Sequence, residues 1–262
     1  MTLNIIKVGG GIVEKEESLN LLLNDFSLLQ GPRLLVHGGG RLATQLATQL
    51  GIETHMIDGR RVTDADMLRV VTMIYGGLVN KRIVAQLQAR GINALGLTGA
   101  DCNVIRSHRR PPVTAGETVV DYGYVGDVDC CDGAMLATLI RQGITPVVAP
   151  LTHDAQGQLL NTNADTIASE VAKSLATHFD VTLTFCFEKK GVLRDCNDDD
   201  SVIPHISAAD FETLRAQGIV ADGMVPKLEN ALNACRAGVK RVVITRADLL
   251  GQADSGTVVT LE

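Results

Sequence analysis

Two lysines, one aspartate and two runs of glycine are the residues of this chain whose types and spacing suit a defined chemistry. "IIKVGGGIV" sets Lys7 at the end of an apolar run with Gly9, Gly10 and Gly11 behind it. "LLVHGGGRLATQL" repeats the device: the run stops at His37, Gly38, Gly39 and Gly40 follow, and a helical pattern begins at Arg41. Amides at a helix start are unpaired and carry the positive end of the helix dipole, so either turn can hold an anion. In a parallel sheet, neighbouring strands that end in such loops put both on one edge, where ligands bind. Each run taken alone is also what a tight turn needs, and Lys7 alone is a lysine leaving a strand.

A third stretch, "LLNTNADTIASEV", places Asn161 and Asn163 before Asp165 at the start of a helix. An Asx turn with a helix cap accounts for Asp165, whose charge suits the dipole. It does not account for two asparagines, since one cap needs one of them. In "ADGMVPKLENAL", Asp222-Gly223 reads as an entry turn and Pro226 as a first-turn residue. Lys227 then sits near a helix amino terminus, where a positive charge is locally unfavourable; a residue that breaks a local rule is a functional candidate.

Together, two lysines, an aspartate and two amide nests suit phosphoryl transfer, which needs positioning and charge neutralisation more than covalent help. There is no G-x-x-x-x-G-K-[ST] and no G-x-G-x-x-G, so neither a Walker loop nor a dinucleotide fingerprint explains the glycines. His37 reads as fixing its turn, His108 in "RSHRRPP" as part of a solvated basic loop, and no Ser–His–Asp set emerges from the spacing.

The elements that must carry these residues alternate. Strands are expected at 3–8, 33–37, 92–97, 144–149, 181–187, 241–245 and 257–261, most of them continuous apolar runs covered on both faces. Amphipathic helices separate them; one stripe carries Ile167, Val171 and Leu175, another Leu228, Ala231, Leu232 and Cys235. The expected fold is α/β, a three-layer αβα sandwich around an open, mostly parallel sheet. "GIETHMIDGRRVT" interrupts it with a hairpin at Asp58-Gly59. The long helix that follows starts at a capping-box-like Thr63…Asp66 and contains Gly76-Gly77, which predicts a kink or a close contact. The acidic "DCNDDDS" at 195–201 lacks the glycine and terminal glutamate of a calcium loop and reads as a solvated turn.

Length and composition bound the partners. With 262 residues, 45% of them hydrophobic, the chain can form one large core or two fused lobes. A net charge of −6 argues against a nucleic-acid or anionic-membrane surface. The six cysteines, at 102, 130, 131, 186, 196 and 235, show no C-x-x-C and read as reduced core thiols. No basic leader precedes "MTLNIIKVGG" and no run approaches 18 apolar residues, so a soluble cytoplasmic protein is expected.

In chain order, "KVGGGIV", "VHGGGR", "DGRRVTDAD", "GLTGAD", "GYVGDV", "LLNTNADTIA", "GVL", "DGMVPKLENAL" and "SGTVV" cover nearly the whole sequence. Together they resemble the amino acid kinase family, and within it the branch that phosphorylates N-acyl-L-glutamate. The resemblance implies an acyl-amino-acid lobe at 1–170 and an ATP lobe at 171–262. It implies transfer from ATP to the γ-carboxylate, as an early step of arginine synthesis, with Mg2+ arriving on the nucleotide and no metal site in the protein. By motif position Lys7 and Lys227 neutralise the moving phosphoryl group from its two sides, and Asp165 holds both. Gly10, Gly39 and Gly40 contact phosphoryl and γ-carboxylate oxygens. Arg61 clamps the substrate α-carboxylate, with Asn161 and Asn163 nearby, and the 52–63 hairpin acts as a lid.

The nucleotide side falls to Gly9, Gly10, Glu188, Lys189, Lys190, Gly191, Val192, Leu193, Ile219, Val220 and Ala221. Where the family has threonine- or serine-Asp-Val, this chain has Phe187-Glu188-Lys189-Lys190. Glu188 then replaces the aspartate, and Lys189 or Lys190 touches phosphates. The start of the chain at its first strand implies an arginine-insensitive homodimer with the 64–90 helix at its interface. Nothing in the motifs reads the acyl group, whose pocket is expected to come from unmarked apolar positions. N-acetyl-L-glutamate is the expected acceptor; N-succinyl-glutamate, an acylated aminoadipate, or a non-catalytic ligand sensor are the alternatives.

Overall fold

The computed structural model describes residues 1–57, 59–115, 118–221, 224–252 and 255–262. Asp58 of the hairpin dipeptide and the Asp222-Gly223 turn lie outside the described residues.

Apolar runs with β-branched residues form the strands, and each of the seven expected strands is present. They join with His205–Ile206 in one eight-stranded sheet. Its order is His205–Ile206, Thr257–Val259, Arg241–Arg246, Asp180–Phe187, Thr2–Val8, Arg33–His37, Thr145–Val148 and Ala94–Leu97. Arg241–Arg246 and Thr257–Val259 pair antiparallel and every other neighbouring pair is parallel. Helices cover both faces, so inward-facing side chains make two cores. Leu3, Leu183, Phe185 and Ile244 pack with the helices Ala164–Leu175 and Met224–Arg236 on one face. Ile6, Val8, Leu35 and Phe26 pack with the helices Glu16–Leu28 and Asn80–Gln88 on the other.

Thr2–Val8 lies at the centre. Lys7 is in register with Val36 on one side and Phe185 on the other. The chain leaves this strand in one direction to build Arg33–His37, Thr145–Val148 and Ala94–Leu97, and later adds its remaining strands on the opposite side. That reversal is a topological switch point, and the crevice beyond the strands' carboxyl ends is the place a ligand enters such a sheet.

A second sheet of four strands, in the order Leu159–Asn161, Leu151–His153, Ile105–Arg109 and Gly126–Cys131, was not expected. Its strands are short and carry mixed polar residues, so they lack the apolar runs that marked the main sheet. His108 belongs to one of these strands rather than to a loop, and its ring pairs with Asp129 at 2.6 Å. The hairpin is present as Met56–Ile57 against Arg60–Arg61.

Two local details correct the sequence reading. The helix Ala65–Val71 is capped by Asp64, which accepts from the Met67 amide, whereas Thr63 is buried and donates to the Arg61 carbonyl. Beyond it Thr72–Val79 is a π-helix. A Cβ on Gly76 would stand 3.3 Å from the Leu151 side chain, so this glycine permits close packing, while Gly77 faces open space. All six cysteines are free, but only Cys186 is a core thiol; Cys102, Cys130 and Cys196 are exposed and Cys131 and Cys235 half-buried. No described helix is long and apolar enough to cross a membrane.

Leu183 is fully buried between Ile5 and Val242. Leu183→Ala is expected to lower the unfolding free energy by about 2–5 kcal/mol, read as a shifted urea midpoint.

Candidate functional site

Strand pairing places the two glycine turns against each other. A Cβ on Gly10 would lie 3.4 Å from the Gly40 amide nitrogen and 3.5 Å from that of Gly39; one on Gly38 would lie 3.2 Å from the Gly10 nitrogen. Helices start at Gly10 and at Gly40, so unpaired amides from both turns converge. Gly9 donates to the Cys186 carbonyl and ties the first turn to the strand Asp180–Phe187.

Above this floor stands Asp165. Its carboxylate lies 2.7 Å from Lys7 Nζ and 4.0 Å from Lys227 Nζ. The three residues come from a central strand and two different helices, yet share one carboxylate. Burial works to raise the Asp165 pKa, but the Lys7 ammonium and then Lys227 outweigh it and hold the group below the usual carboxylate value. Asp165 is able to do this because it is not the helix cap. Asn163 caps Ala164–Leu175, its side-chain oxygen accepting from the amides of Asp165 and Thr166. The sequence offered Asp165 as a cap; the structure gives that task to the asparagine two residues earlier and leaves the carboxylate to the lysines.

A cavity of about 180 Å³ opens beside these groups, lined by Gly10, Gly39, Gly40, Arg61, Asn161 and Asn163, all expected from the sequence. Arg61 is buried at the base of the hairpin, where Nη2 donates to the Gly40 carbonyl at 2.8 Å and to Thr44 Oγ1 at 2.9 Å. Asn161 Nδ2 donates to Thr63 Oγ1 at 2.9 Å, joining the second sheet to the end of the hairpin. The cavity gathers convergent amides and a guanidinium, which suits an anion; Lys7, Asp165 and Lys227 are not among its lining residues, and Ala164 of the lining is the chain neighbour of Asp165.

The nucleotide-side candidates are more dispersed. Glu188 follows the strand Asp180–Phe187 and lies 3.7 Å from Arg41. Lys189 and Lys190 pair with Asp199 at 3.0 Å and Asp200 at 2.5 Å, so the acidic turn receives both cations. Val192 is buried and its amide donates to Thr257 Oγ1. Leu193 forms an isolated bridge with Val202, and a Cβ on Gly191 would stand 2.8 Å from the Val202 side chain. Ile219, Val220 and Ala221 close the helix Ala208–Ala216 and lead toward Met224–Arg236, with Val220 buried and Ala221 exposed.

Sequence reasoning missed three neighbours. Tyr75, in the π-helical stretch, lines the cavity and packs over Gly39: a Cβ there would be 3.0 Å from the ring. Burial raises the Tyr75 hydroxyl pKa, against the nearby Arg61. Asn80 holds His37, whose Nε2 lies 3.1 Å from its side-chain amide while Nδ1 meets the Gly38 carbonyl at 2.8 Å. Arg60 also lines the cavity, so its wall is not built from apolar positions alone. The Gly76-Gly77 pair was the one mark in the sequence near Tyr75; Arg60 was hidden beside Arg61 in "GRR".

Residues 2–246 match the amino acid kinase family. An acetylglutamate kinase of Phocaeicola vulgatus is 64% identical over 257 residues, which is 98% of each chain. An acetylglutamate kinase of Bacteroides fragilis is 62% identical over 255 residues, covering 97% of this chain and 95% of that one. Among solved structures, smu.665 of Streptococcus mutans UA159 matches with a TM-score of 0.80 at 26% identity, over 99% of both chains.

His37 supports the second glycine turn as a neutral ring, because burial, opposed by the Gly38 carbonyl bond, pushes its pKa down from 6.5 to about 4. An unfolded chain takes up this proton first, so the stability the neutral ring supplies is full above pH 6.5 and is lost as pH falls toward 4. Wild-type melting temperature is expected to drop more steeply between pH 7 and pH 5 than that of His37→Gln.

Proposed function

The chain belongs to the amino acid kinase family, and on that premise we propose that it transfers the γ-phosphoryl group of ATP to the γ-carboxylate of N-acetyl-L-glutamate, giving the acyl phosphate of arginine biosynthesis. The observation that carries this reading is the single carboxylate of Asp165 set between Lys7 and Lys227 above two converging glycine turns.

An ionised carboxylate oxygen attacks phosphorus, the bond to ADP breaks, and no proton has to move. The difficulty is electrostatic: two anions must meet, so fixed positive groups supply most of the help. Lys7 neutralises charge on the acceptor side and Lys227 on the nucleotide side, while Asp165 keeps both ammonium groups extended into the gap. Amides of Gly10, Gly39 and Gly40 take phosphoryl and γ-carboxylate oxygens. Arg61, already oriented by Gly40 and Thr44, receives the α-carboxylate in the two-point geometry a guanidinium favours. Asn161 and Asn163 form the facing wall, and the hairpin is the lid.

The nucleotide lies over 171–262, against Gly9, Glu188, Gly191, Val192, Leu193, Ile219, Val220 and Ala221. The helix Ala164–Leu175 is common to this lobe and the acyl-amino-acid lobe at 1–170, and carries Asp165 to their junction. Lys189 and Lys190 reach phosphates by giving up Asp199 and Asp200; such solvent-screened pairs hold weakly, so the exchange is easy. Mg2+ rides on the phosphates of ATP. Among the described residues no three carboxylates, thiols or imidazoles gather as a metal cage. The enzyme works in the cytoplasm as a homodimer. The exposed Met73 and Leu78 beside the open Gly77 supply apolar side chains for the second copy to cover.

With Mg-ATP, N-acetyl-L-glutamate and hydroxylamine the protein is expected to yield a hydroxamate; no hydroxamate from any N-acyl-L-glutamate would reject the reading. Lys227→Ala should lower kcat by about 100- to 1000-fold with an unchanged melting temperature, as expected for loss of one transition-state charge partner. Light scattering should give the mass of two chains for the wild type and of one for Leu78→Glu.

A further inference from the structure

The first glycine turn carries an ion pair on a side that the cavity of Arg61 and Asn161 does not reach. Gly10 and Gly11 open the short helix Gly10–Glu14 and have different neighbours. Gly10 meets the amides of Gly39 and Gly40, whereas Gly11 is covered by Glu188 and Arg41. A Cβ on Gly11 would collide with Glu188 Oε1 and stand 3.3 Å from Arg41 Nη1. From Gly11 a second cavity opens, of about 550 Å³, lined also by Lys15, Arg41, Phe187 and Glu188. It begins at the end of the strand Asp180–Phe187, on the side of the molecule assigned above to the nucleotide.

Arg41 is poorly placed for a structural role. It is the second residue of the helix Gly40–Gln49, where the positive end of the dipole disfavours a cation. Its side chain is mostly exposed and lies 3.7 Å from Glu14 and 3.7 Å from Glu188, too far for a hydrogen bond to either. Glu14 is already engaged by Gln45 Nε2 at 2.6 Å. Other arginines are gripped: Arg246, in the same cavity, reaches Asp248 at 2.6 and 3.0 Å, and Arg110 reaches Asp127 at 3.2 and 3.0 Å. A pair held as loosely as Arg41 and Glu188 exchanges partners readily.

Glu188 is equally uncommitted. Among the described residues Arg41 is its one ion-pair partner. The two charges come from opposite sides of the crevice, one from the helix after the second turn and one from the end of a strand beyond the first. An anionic oxygen over a glycine turn beside a guanidinium is the setting that also suits a phosphate, which a guanidinium binds by parallel charged hydrogen bonds.

We infer that Arg41 is a ligand of the two phosphates of ATP that are not transferred, and that Glu188 keeps the guanidinium over Gly11 until the nucleotide takes its place. The inference rests on the kinase reading and adds a third cation to it. Lys7 and Lys227 meet the moving phosphoryl group, and Arg41, on the Gly11 side, meets the part that departs as ADP. The exchange replaces one anion of the guanidinium by another and leaves every covalent bond of Arg41 and Glu188 untouched.

The test measures Kd for ADP and for adenosine by calorimetry, with Mg2+ present throughout, and takes the ratio of adenosine to ADP as the contribution of the two phosphates. Arg41→Met should lower that ratio by about 10- to 100-fold, the range expected of hydrogen bonds to charged groups. Adenosine should bind as it does to the wild type, which a distorted site would not allow. Arg41→Lys should retain part of the ratio. Glu188→Gln should raise it several-fold, because the carboxylate no longer competes, and the gain should disappear in combination with Arg41→Met. Should Arg41→Met fail to fold, Arg41→Lys and Glu188→Gln carry the test. A ratio unchanged by the Arg41 variants, an equal loss of ADP and adenosine, or a ratio that Glu188→Gln leaves unchanged or lowers overturns the inference. Hydroxamate formation by the wild type leaves the kinase reading intact in each of these cases. Absence of both turnover and ADP binding overturns the kinase reading, and this inference with it.

Discussion

One carboxylate shared by two ammonium groups is the constraint around which the site is organised. Asp165 reaches Lys7 on the central strand and Lys227 on a helix from the far end of the chain. Without the aspartate, two positive charges would face each other across a small gap and each would swing toward solvent. With it, both are held forward, and their net charge still exceeds that of the group that holds them. The trio therefore carries a surplus of one positive charge.

That arrangement explains why the surrounding fold takes the form it does. Lys7 sits on a strand with neighbours on both sides: Thr2–Val8 is paired along its length with Asp180–Phe187, and over residues 4–8 with Arg33–His37. The glycine turns approach closely: a Cβ at Gly38 would stand 3.2 Å from the Gly10 nitrogen, tighter than ordinary contact, whereas one at Gly10 would just meet the Gly39 and Gly40 nitrogens. Asn163 must take over the helix cap so that Asp165 is left to the lysines. His37 and Asn80, buried behind the second turn, fix a loop that glycine alone would leave loose.

Much of this was legible in the sequence because the signals were strong and local. Continuous β-branched runs marked seven strands of the main sheet, and the paired asparagines before Asp165 pointed past a simple cap. The second sheet was not legible: "IRSHR" and "GDVDCC" carry charges on residues that solvent reaches, and no apolar period reveals their pairing. His205–Ile206 is too short for any pattern. The cap at Asp64 was missed for a different reason, since Thr63 and Asp64 are both good caps and only the burial of Thr63 chooses between them. Arg60 could not be told from Arg61 by type. Alternation along a two-residue strand separates them, and that requires knowing where the hairpin turns.

The π-helical stretch Thr72–Val79 has a consequence for how this chain can change over generations. Such a segment accommodates about one residue more than the α geometry of its flanks would, and each residue of an α-helix occupies about 100° of azimuth. Loss of a single codon there would let the stretch relax to α geometry while Ala65–Val71 and Asn80–Gln88 kept their places. Tyr75 would rotate off Gly39, and the cavity would gain the room its ring now fills. A deletion, usually ruinous in a helix, would here act as a graded change in pocket shape.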